Sequence, residues 1–199
     1  MMRFLKLINC MIVFCMANTL IHAQSLFPEL FNPQDSTGLY SMNIELGSNH
    51  FSGLLLLKKT DDSTIRLVMN SEMGPTLLDM DLLPSAYKVR YAFPKLSNKR
   101  ILKTFYEDFG ALCGIIIRNK CPATTSCGGV TSLSFDMEKK VKLIYTSDSL
   151  THLFVSGRFE EKNTVRSSFY YVLAPGTSKV DSIKLEHFRF AMTISLTKI

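Results

Sequence analysis

The sequence predicts a mainly β protein with one helix. We expect a curved antiparallel half-barrel sheet of about nine or more strands, covered on its concave face by an amphipathic helix. Two observations support this fold class. From Leu39 onward, most segments alternate apolar and polar residues and are separated by short polar turns, which is typical of antiparallel strands. A single stretch, residues 95–113, has the apolar spacing of a helix instead.

The first half of the chain contains five successive strand-like segments. They are LYSMNIEL (39–46), FSGLLLLKK (51–59), TIRLVMN (64–70), TLLDMDLL (76–83) and AYKVRYA (86–92). The connections are short and polar, with side chains that can bond their own backbone. We therefore expect a meander with one apolar face. The second segment is apolar on both faces, so its second face is expected to contact residues 26–31 or a partner.

The segment KLSNKRILKTFYEDFGALC (95–113) predicts a helix over residues 96–112. Its apolar stripe consists of Ile101, Leu102, Phe105, Phe109 and Leu112. Ser97 or Asn98 can cap its start. The polar face is expected to carry Lys99, Arg100, Lys103 and Asp108.

The second half of the chain is harder to divide. Residues 115–117 are predicted as a short strand. Strands resume in KVKLIYTS (140–147), LTHLFVSGRF (150–159) and SSFYYVLA (167–174), and the chain closes on SIKLEHFRFAMTISLTKI (182–199). In this last segment the apolar phase slips by one residue near His187, which predicts a bulge or a kink in one long strand.

Residues 1–23 have the pattern of a secretory signal peptide. A basic start and a short apolar run precede Ala23, the small residue expected at the cleavage point. Residues 24–199 would then form a single half-barrel domain, exported to the periplasm. Two alternatives stay open: an uncleaved anchor, and a lipoprotein acylated at Cys10 or Cys15 and associated with the outer membrane. The large or polar residues before those cysteines make the lipoprotein the weaker alternative.

The charge pattern argues against nucleic acid as a partner. The formal net charge is +6, and 21 basic against 17 acidic residues remain without Arg3 and Lys6. Nucleic-acid binding needs Lys and Arg clustered on one face, and the sequence has no dense basic block.

Residues 24–199 contain three cysteines, which an oxidising compartment would tend to pair. The stretch CPATTSC (121–127) predicts a small loop closed by a disulfide between Cys121 and Cys127, with Cys113–Cys121 as the competing pair. The remaining cysteine is expected to be buried and reduced. No CxxC spacing or nearby histidine indicates a metal site.

No motif in the sequence indicates catalysis. His50, His152 and His187 lie far apart in the chain, and GxSxG, HExxH and glycine-rich phosphate loops are absent. The protein is therefore predicted not to be an enzyme, and no catalytic residue, metal or cofactor is predicted.

The order of segments resembles a known group of proteins. SGLLLLKK, a polar turn, a strand ending in NSEMG, and then LLDMDLLPSAYKVRYAFPKLSNKRILKTFYEDF are similar to small exported proteins of Bacteroidota-type bacteria. More broadly the pattern resembles the LolA/LolB-like lipoprotein carriers. That resemblance implies an unclosed curved sheet around lid helices and a cavity for acyl chains. Those carriers latch the lid with an arginine on an early strand; Lys58, Lys59 and Arg66 do not match it, so the role is not transferred.

The apolar faces of sheet and helix are therefore candidates for lining a cavity that holds lipid or lipoprotein acyl chains. The candidate residues are Leu55, Leu57, Ile65, Leu67, Met69, Leu78, Met80, Leu82, Tyr87, Val89, Tyr91, Ile101, Leu102, Phe105 and Phe109. An envelope protein is a further expected partner, and no transmembrane span is expected after signal cleavage. The alternative is a structural or protein-binding envelope subunit with a solid core and no ligand, since any half-buried sheet alternates in this way.

Overall fold

The computed structural model describes residues 27–34 and 36–199 of the chain. Within these residues there are twelve β-strands and one α-helix. The strands are β1 (Thr37–Leu46), β2 (Asn49–Asp61), β3 (Thr64–Ser71), β4 (Thr76–Leu82), β5 (Tyr87–Ala92), β6 (Ala123–Cys127), β7 (Val130–Asp136), β8 (Val141–Ser147), β9 (Phe154–Glu161), β10 (Thr164–Leu173), β11 (Val180–His187) and β12 (Met192–Lys198). The helix, α1 (Lys99–Leu112), follows β5. The predicted signal peptide lies outside the described residues.

All twelve strands form one open antiparallel sheet, in the order β5-β4-β3-β2-β1-β12-β11-β10-β9-β8-β7-β6. Each strand pairs with its neighbours in the chain, with two exceptions: β5 and β6 do not pair with each other, and β1 pairs with β12. This pairing joins the two halves of the meander and leaves β5 and β6 as the edges. The segment that connects those edges contains α1. The predicted class, a mainly β antiparallel protein with a helix, is confirmed.

The register places the apolar residues of successive strands in rows on one face. Tyr40 lies opposite Leu55, Leu55 opposite Met69, and Met69 opposite Leu78, and all four side chains are fully buried. Polar residues alternate with them on the other face, as in the burial pattern of β1. A strict period of two therefore produces a sheet with one dry face.

Helix α1 begins three residues later than predicted. Asn98 is the N-cap, and its side chain accepts a hydrogen bond from the Arg100 backbone N–H at 2.8 Å. Pro94–Leu96 forms a separate 3-10 turn instead of the first helical turn. No helix in the described part of the chain is both long and apolar enough to cross a bilayer.

Two predicted elements of the second half are wrong. Ile115–Ile117 is a 3-10 turn and not a strand, because Gly114 adopts a left-handed conformation (φ 69°) and turns the chain back onto α1. There Ile116 packs so closely against Gly110 that a Cβ at Gly110 would lie 2.6 Å from its Cγ2 atom. The last segment is a hairpin of β11 and β12 and not one bulged strand, since β12 must turn back to pair with β1.

The predicted disulfide between Cys121 and Cys127 is not formed, and all three described cysteines are free. Ala123–Cys127 forms edge strand β6, which holds this part of the chain extended. At about 3.3 Å per residue the Cα atoms of Ala123 and Cys127 lie roughly 13 Å apart, whereas a disulfide needs its two Cα atoms within about 7 Å. Cys113 is the half-buried one, and burial raises the pKa of its thiol to about 12.

The expectation that residues 26–31 cover the second face of β2 is also wrong for the described residues 27–31. Phe27 packs against Tyr145 at 5.1 Å and Phe154 at 5.2 Å, both on the buried face. The Leu30 carbonyl accepts a hydrogen bond from the Tyr40 hydroxyl at 2.7 Å. This segment therefore closes one end of the interior and leaves Leu54, on the other face, 44% exposed.

We predict that Gly157→Ala destabilises the fold by about 1–3 kcal/mol, the usual cost of overpacking a core. Gly157 lies on β9 beneath the buried ring of Phe169, and an added Cβ would overlap that ring. Urea denaturation measures the change. Ser156→Ala, at the neighbouring position on the other face, is the matched control and should leave the free energy of unfolding nearly unchanged. Equal stability of the two variants would contradict the packing described.

Candidate functional site

Most of the predicted lining residues lie in the hydrophobic core that the sheet and α1 share. Eleven of them are buried there: Leu55, Leu57, Ile65, Leu67, Met69, Leu78, Met80, Leu82, Leu102, Phe105 and Phe109. Tyr87, Val89 and Ile101 are half-buried against the same core. These fourteen residues therefore belong to, or pack against, one hydrophobic core to which β2–β5 and the helix contribute.

Tyr91 does not belong to this surface. A register shift between Asp79 and Met80 places Tyr91 opposite Asp79, on the outer face, where its side chain is 48% exposed. The alternation of inward and outward side chains in β5 is interrupted at this bulge. One extra residue makes the side chains that follow it point to the opposite face from the one that strict alternation predicts.

The other half of the sheet contributes a different kind of surface. Its buried side chains are largely aromatic: Phe135, Tyr145, Phe154, Phe159, Phe169 and Tyr171. The Tyr145 ring is central, with centroids 6.0 Å from Phe135, 6.5 Å from Phe154 and 5.8 Å from Phe169, all edge-on. The interior therefore combines an aliphatic half on β2–β4, rich in adaptable leucine and methionine, with an interlocked aromatic half on β7–β10.

Two tyrosines of the aromatic half fasten the C-terminal end of α1. The Tyr145 hydroxyl donates to the Ala111 carbonyl at 2.8 Å, and the Tyr171 hydroxyl donates to the Leu112 carbonyl at 3.1 Å. The last carbonyls of a helix lack a partner four residues further on, and the Tyr171 hydroxyl supplies one to Leu112. The Ala111 carbonyl also accepts a hydrogen bond from the Gly114 N–H at 2.9 Å, so the Tyr145 hydroxyl is its second donor. Burial raises the pKa of both hydroxyls well above the usual range, and they remain donors at neutral pH.

A buried acid–base pair fastens the middle of α1 to the end of β11. His187 Nε2 lies 2.8 Å from Asp108 Oδ2, and the two side chains are only 6% and 3% exposed. The Phe190 ring stacks on the imidazole at 4.9 Å. Desolvation raises the pKa of Asp108, although the hydrogen bond with His187 acts in the opposite direction.

Beside this pair, Glu107 contacts Arg166 of β10 at 3.4 Å and Lys103 at 3.5 Å. Arg166 reaches the helix from a β-bulge, where the β9–β10 register shifts between Val165 and Ser167. Burial raises the pKa of Glu107, while the charges of Arg166 and Lys103 lower it. The middle of α1 is thus tied to β10 and β11 by polar contacts at the border of the apolar interior.

Sequence reasoning missed these polar contacts and placed Asp108 on the wet face of the helix. The signal was present, because Asp108 lies three residues after Phe105 and four before Leu112, which is inside the apolar stripe. Its partner His187 lies 79 residues away, and no local pattern could indicate that pairing.

The interior is mainly apolar. Several of its polar groups hold α1, namely the Tyr145 and Tyr171 hydroxyls and the Asp108–His187 pair. Among the described residues, no group of three or more His, Cys, Asp or Glu side chains is close enough together to hold a metal ion. An open, polar depression of about 320 Å³ lies on the outer face, lined by Asn43, Glu45, His50, Lys184, Thr193 and Ser195.

Comparison with known proteins identifies the fold. No protein-family model matches the chain. No curated protein matches it either. Among solved structures, it is similar to a LolA superfamily protein from Nitrosomonas europaea, with a TM-score of 0.54 at 11% identity over 86% of this chain and 87% of that one. The chain therefore has a LolA-like fold.

Two further structures align at lower scores. One is a domain assigned to outer membrane lipoprotein sorting from Vibrio parahaemolyticus, with a TM-score of 0.47 and 9% identity over 90% of this chain and 88% of that one. The other is a DUF1329 family protein from Desulfovibrio piger, with a TM-score of 0.45 and 12% identity over 84% and 85%.

We predict that Tyr145→Phe lowers the free energy of unfolding by about 0.5–1.5 kcal/mol, because it removes one buried hydrogen bond to the Ala111 carbonyl, which keeps the Gly114 N–H as a donor. Tyr170→Phe is the control, since the Tyr170 ring is 40% exposed on the opposite face of β10. Chemical denaturation of both variants tests this, and equal stabilities would show that the hydroxyl does not hold the helix.

A second prediction concerns pH. A group whose pKa is raised on folding stabilises the protein below its ordinary pKa, and loses that contribution as pH rises through the folded-state value. The ordinary pKa of Asp108 is 3.8 and the folded value is higher. Wild type should therefore lose stability relative to Asp108→Asn as pH rises from about 3 to about 7. Urea denaturation midpoints across this pH range measure the difference in stability between wild type and Asp108→Asn, called the gap here. A gap that moved in favour of wild type would mean that a charged His187 lowers the Asp108 pKa.

Proposed function

We propose that this protein, with its LolA-like fold, is a non-catalytic periplasmic binding protein that holds lipid or lipoprotein acyl chains between the sheet and α1. It would use no cofactor. The observation that carries this proposal is the buried aliphatic surface of β2–β4, which belongs to the same core as the apolar side of α1 in a LolA-like fold.

The position of α1 supports the proposal. Its segment connects the two sheet edges, and Leu102, Phe105 and Phe109 pack into the interior. We infer that the helix covers the concave face of a curved sheet, as a lid does. Moving it would expose a surface of leucine and methionine, whose flexible side chains adapt to varied acyl chains.

The unequal attachment of α1 indicates where a chain would enter. The C-terminal end is held by two fully buried tyrosine hydroxyls, and the middle by the buried Asp108–His187 pair. Toward β4 and β5 the ties are weaker. There the half-buried Tyr106 hydroxyl donates to the Leu83 carbonyl at 3.1 Å, and its ring lies 5.3 Å from Tyr87. We therefore place the entrance between the N-terminal half of α1 and the β4–β5 edge.

Burial of the acyl chain would supply the binding free energy. Each CH₂ group removed from water contributes about 0.8 kcal/mol, so a buried stretch of about ten carbons contributes roughly 8 kcal/mol. Opening the lid opposes this gain, because the aliphatic residues beneath α1 are closely packed in the absence of a ligand.

The proposed location follows from the same hypothesis. Residues 1–23 would direct export and be removed, and residues 24–199 would act as one domain in the periplasm or at the outer membrane. A lipoprotein or another envelope protein would be the macromolecular partner.

A second function is favoured by the close packing itself. Leu55, Leu57, Leu67, Met69 and Met80 are completely buried, as they would be in a solid core. The protein would then be a structural or protein-binding subunit of the cell envelope without a ligand. Native mass spectrometry separates the two functions: co-purified lipid supports the binding protein, and a bare mass even after incubation with a diacyl phospholipid supports the subunit.

We predict that Leu67→Ala weakens binding of a dansyl-labelled fatty acid about tenfold, equivalent to about 1.4 kcal/mol of lost contact. If the site is a cavity, the same variant should lose less than the roughly 2–5 kcal/mol of stability that a leucine truncation costs in a solid core. Fluorescence titration and urea denaturation provide the two numbers.

Leu54→Ala is the matched control, because Leu54 is a leucine of the same sheet that points outward. It should bind the probe like wild type. A large stability loss in Leu67→Ala with unchanged probe affinity would reject Leu67 as a lining residue and favour the solid core.

A further inference from the structure

The two edges of the sheet are not alike. The β5 edge carries Lys88 and Arg90, and charged side chains of this kind discourage pairing with another strand. The β6 edge has the sequence ATTSC, without a charge, and all five of its residues are exposed. Among the described residues, 27–34 and 36–199, it pairs only with β7, so its other side presents a row of backbone donors and acceptors to which none of these residues pairs as a strand.

The hairpin turn determines which backbone groups face this free side. Gly128 and Gly129 have φ values of 58° and 82°, typical of a type I′ turn, and the turn closes on the pair Cys127–Val130. The two residues that close such a turn bond each other. By alternation, Thr124 and Ser126 direct their N–H and C=O groups away from β7. The Thr131 N–H is consistent with this, since it points away from β6 to Ser147 Oγ at 2.8 Å.

We propose that a second copy of this chain pairs with β6 in antiparallel orientation, with Thr124 opposite the partner's Thr124. The stretch from Cys121 to Cys127 is symmetric about Thr124 in the placement of its cysteines. In this register Cys121 lies opposite the partner's Cys127 at one end of the strand pair. At the other end Cys127 lies opposite the partner's Cys121. The interface is thus self-complementary, as a two-fold dimer requires.

The geometry of the paired cysteines suits a disulfide. Thr124 and its symmetry mate would form a hydrogen-bonded pair, so the cysteines three residues away occupy non-hydrogen-bonded positions. Cα atoms at such positions lie about 4.5 Å apart, within the range of about 4.4–6.8 Å found in disulfides. Directly opposite residues point to the same face of a sheet, and both cysteines are exposed. Strand β6 thereby presents the Cys127 thiol to a neighbour, and in the dimer the pairing would extend through Pro122 to Cys121.

The covalent step is thiol–disulfide exchange with a small-molecule disulfide such as oxidised glutathione. One cysteine thiolate attacks the glutathione disulfide and releases one glutathione thiol. The thiolate of the opposite chain then displaces the second glutathione. Each interchain bond formed oxidises two protein thiols and reduces one glutathione disulfide to two thiols. Because the non-covalent contact is a short strand edge, far below the roughly 1,200 Å² of a stable interface, the dimer depends on these bonds.

The test uses the full chain carrying Cys113→Ser, incubated with a glutathione redox buffer and analysed by non-reducing electrophoresis and intact mass. We expect a covalent dimer with two disulfides that reverts to monomer on reduction. Cys121→Ser and Cys127→Ser, each in the same background, should remain monomeric alone, since each leaves a thiol opposite a serine. An equal mixture of the two should form a heterodimer with a single disulfide.

The mixing result distinguishes the proposed register from its alternatives. A covalent homodimer of either single variant would mean that Cys121 pairs with Cys121, or Cys127 with Cys127. That result would overturn the proposed register. An oxidised monomer with an internal bond would overturn the edge-to-edge dimer altogether. Thr124→Pro removes only an outward-facing N–H, which an edge strand tolerates. It should leave the far-ultraviolet circular dichroism unchanged while reducing dimer yield at least tenfold, and an unchanged yield would reject pairing along β6.

Discussion

The pairing of β1 with β12 is the interaction on which the rest of the structure depends. It runs over seven residue pairs, from Tyr40–Lys198 to Leu46–Met192, and joins the first strand of the sheet to the last. Without it the chain would be two separate meanders, β1–β5 and β6–β12. With it, the two remaining edges are β5 and β6, which are linked by the segment that contains α1. The position of the helix is thus a consequence of topology.

The two halves that meet at this pairing give the interior its two surfaces. The β2–β4 half provides leucine, isoleucine and methionine, and the β7–β10 half provides interlocked aromatic rings with hydroxyls directed at the helix terminus. Aromatic packing with buried hydrogen bonds fixes one end of α1, whereas aliphatic contact has no directional component. A helix attached in this way is anchored by buried hydrogen bonds at its C-terminal end. On the β4–β5 side it is restrained by apolar contact and by the half-buried Tyr106 hydrogen bond to Leu83.

Much of the first half of the fold could be predicted from the sequence, because alternation in a meander is a local signal. Leu55, Leu67 and Met80 lie on the predicted face, and Asn98 is one of the two predicted caps. Tyr91 was misplaced because a bulge changes the phase inside a short strand. Ile115–Ile117 was mispredicted for another local reason, the left-handed Gly114 that turns the chain. Other features have a non-local cause. The Asp108–His187 pair, the Tyr145 hydroxyl bond and the β11–β12 hairpin depend on residues far apart in the chain, which no periodicity within one segment can reveal.

The β1–β12 pairing also places the start of the first strand beside the end of the last, since Tyr40 lies opposite Lys198 and the Ile199 N–H donates to the Leu39 carbonyl at 3.1 Å. If β12 is regarded as followed by β1, the strands pair in sequence order around the sheet. The only consecutive strands that do not pair are β5 and β6, and the segment between them contains α1. A permuted protein that began at β6 and ended after α1, with a short linker from β12 to β1, would keep every strand pair and make all of them sequential hairpins. Its contact order would fall, so it should fold faster than the natural connectivity. In that protein α1 would be covalently attached to β5 only. Its stability would show how much of the effect of α1 comes from packing and how much from linking the two sheet edges.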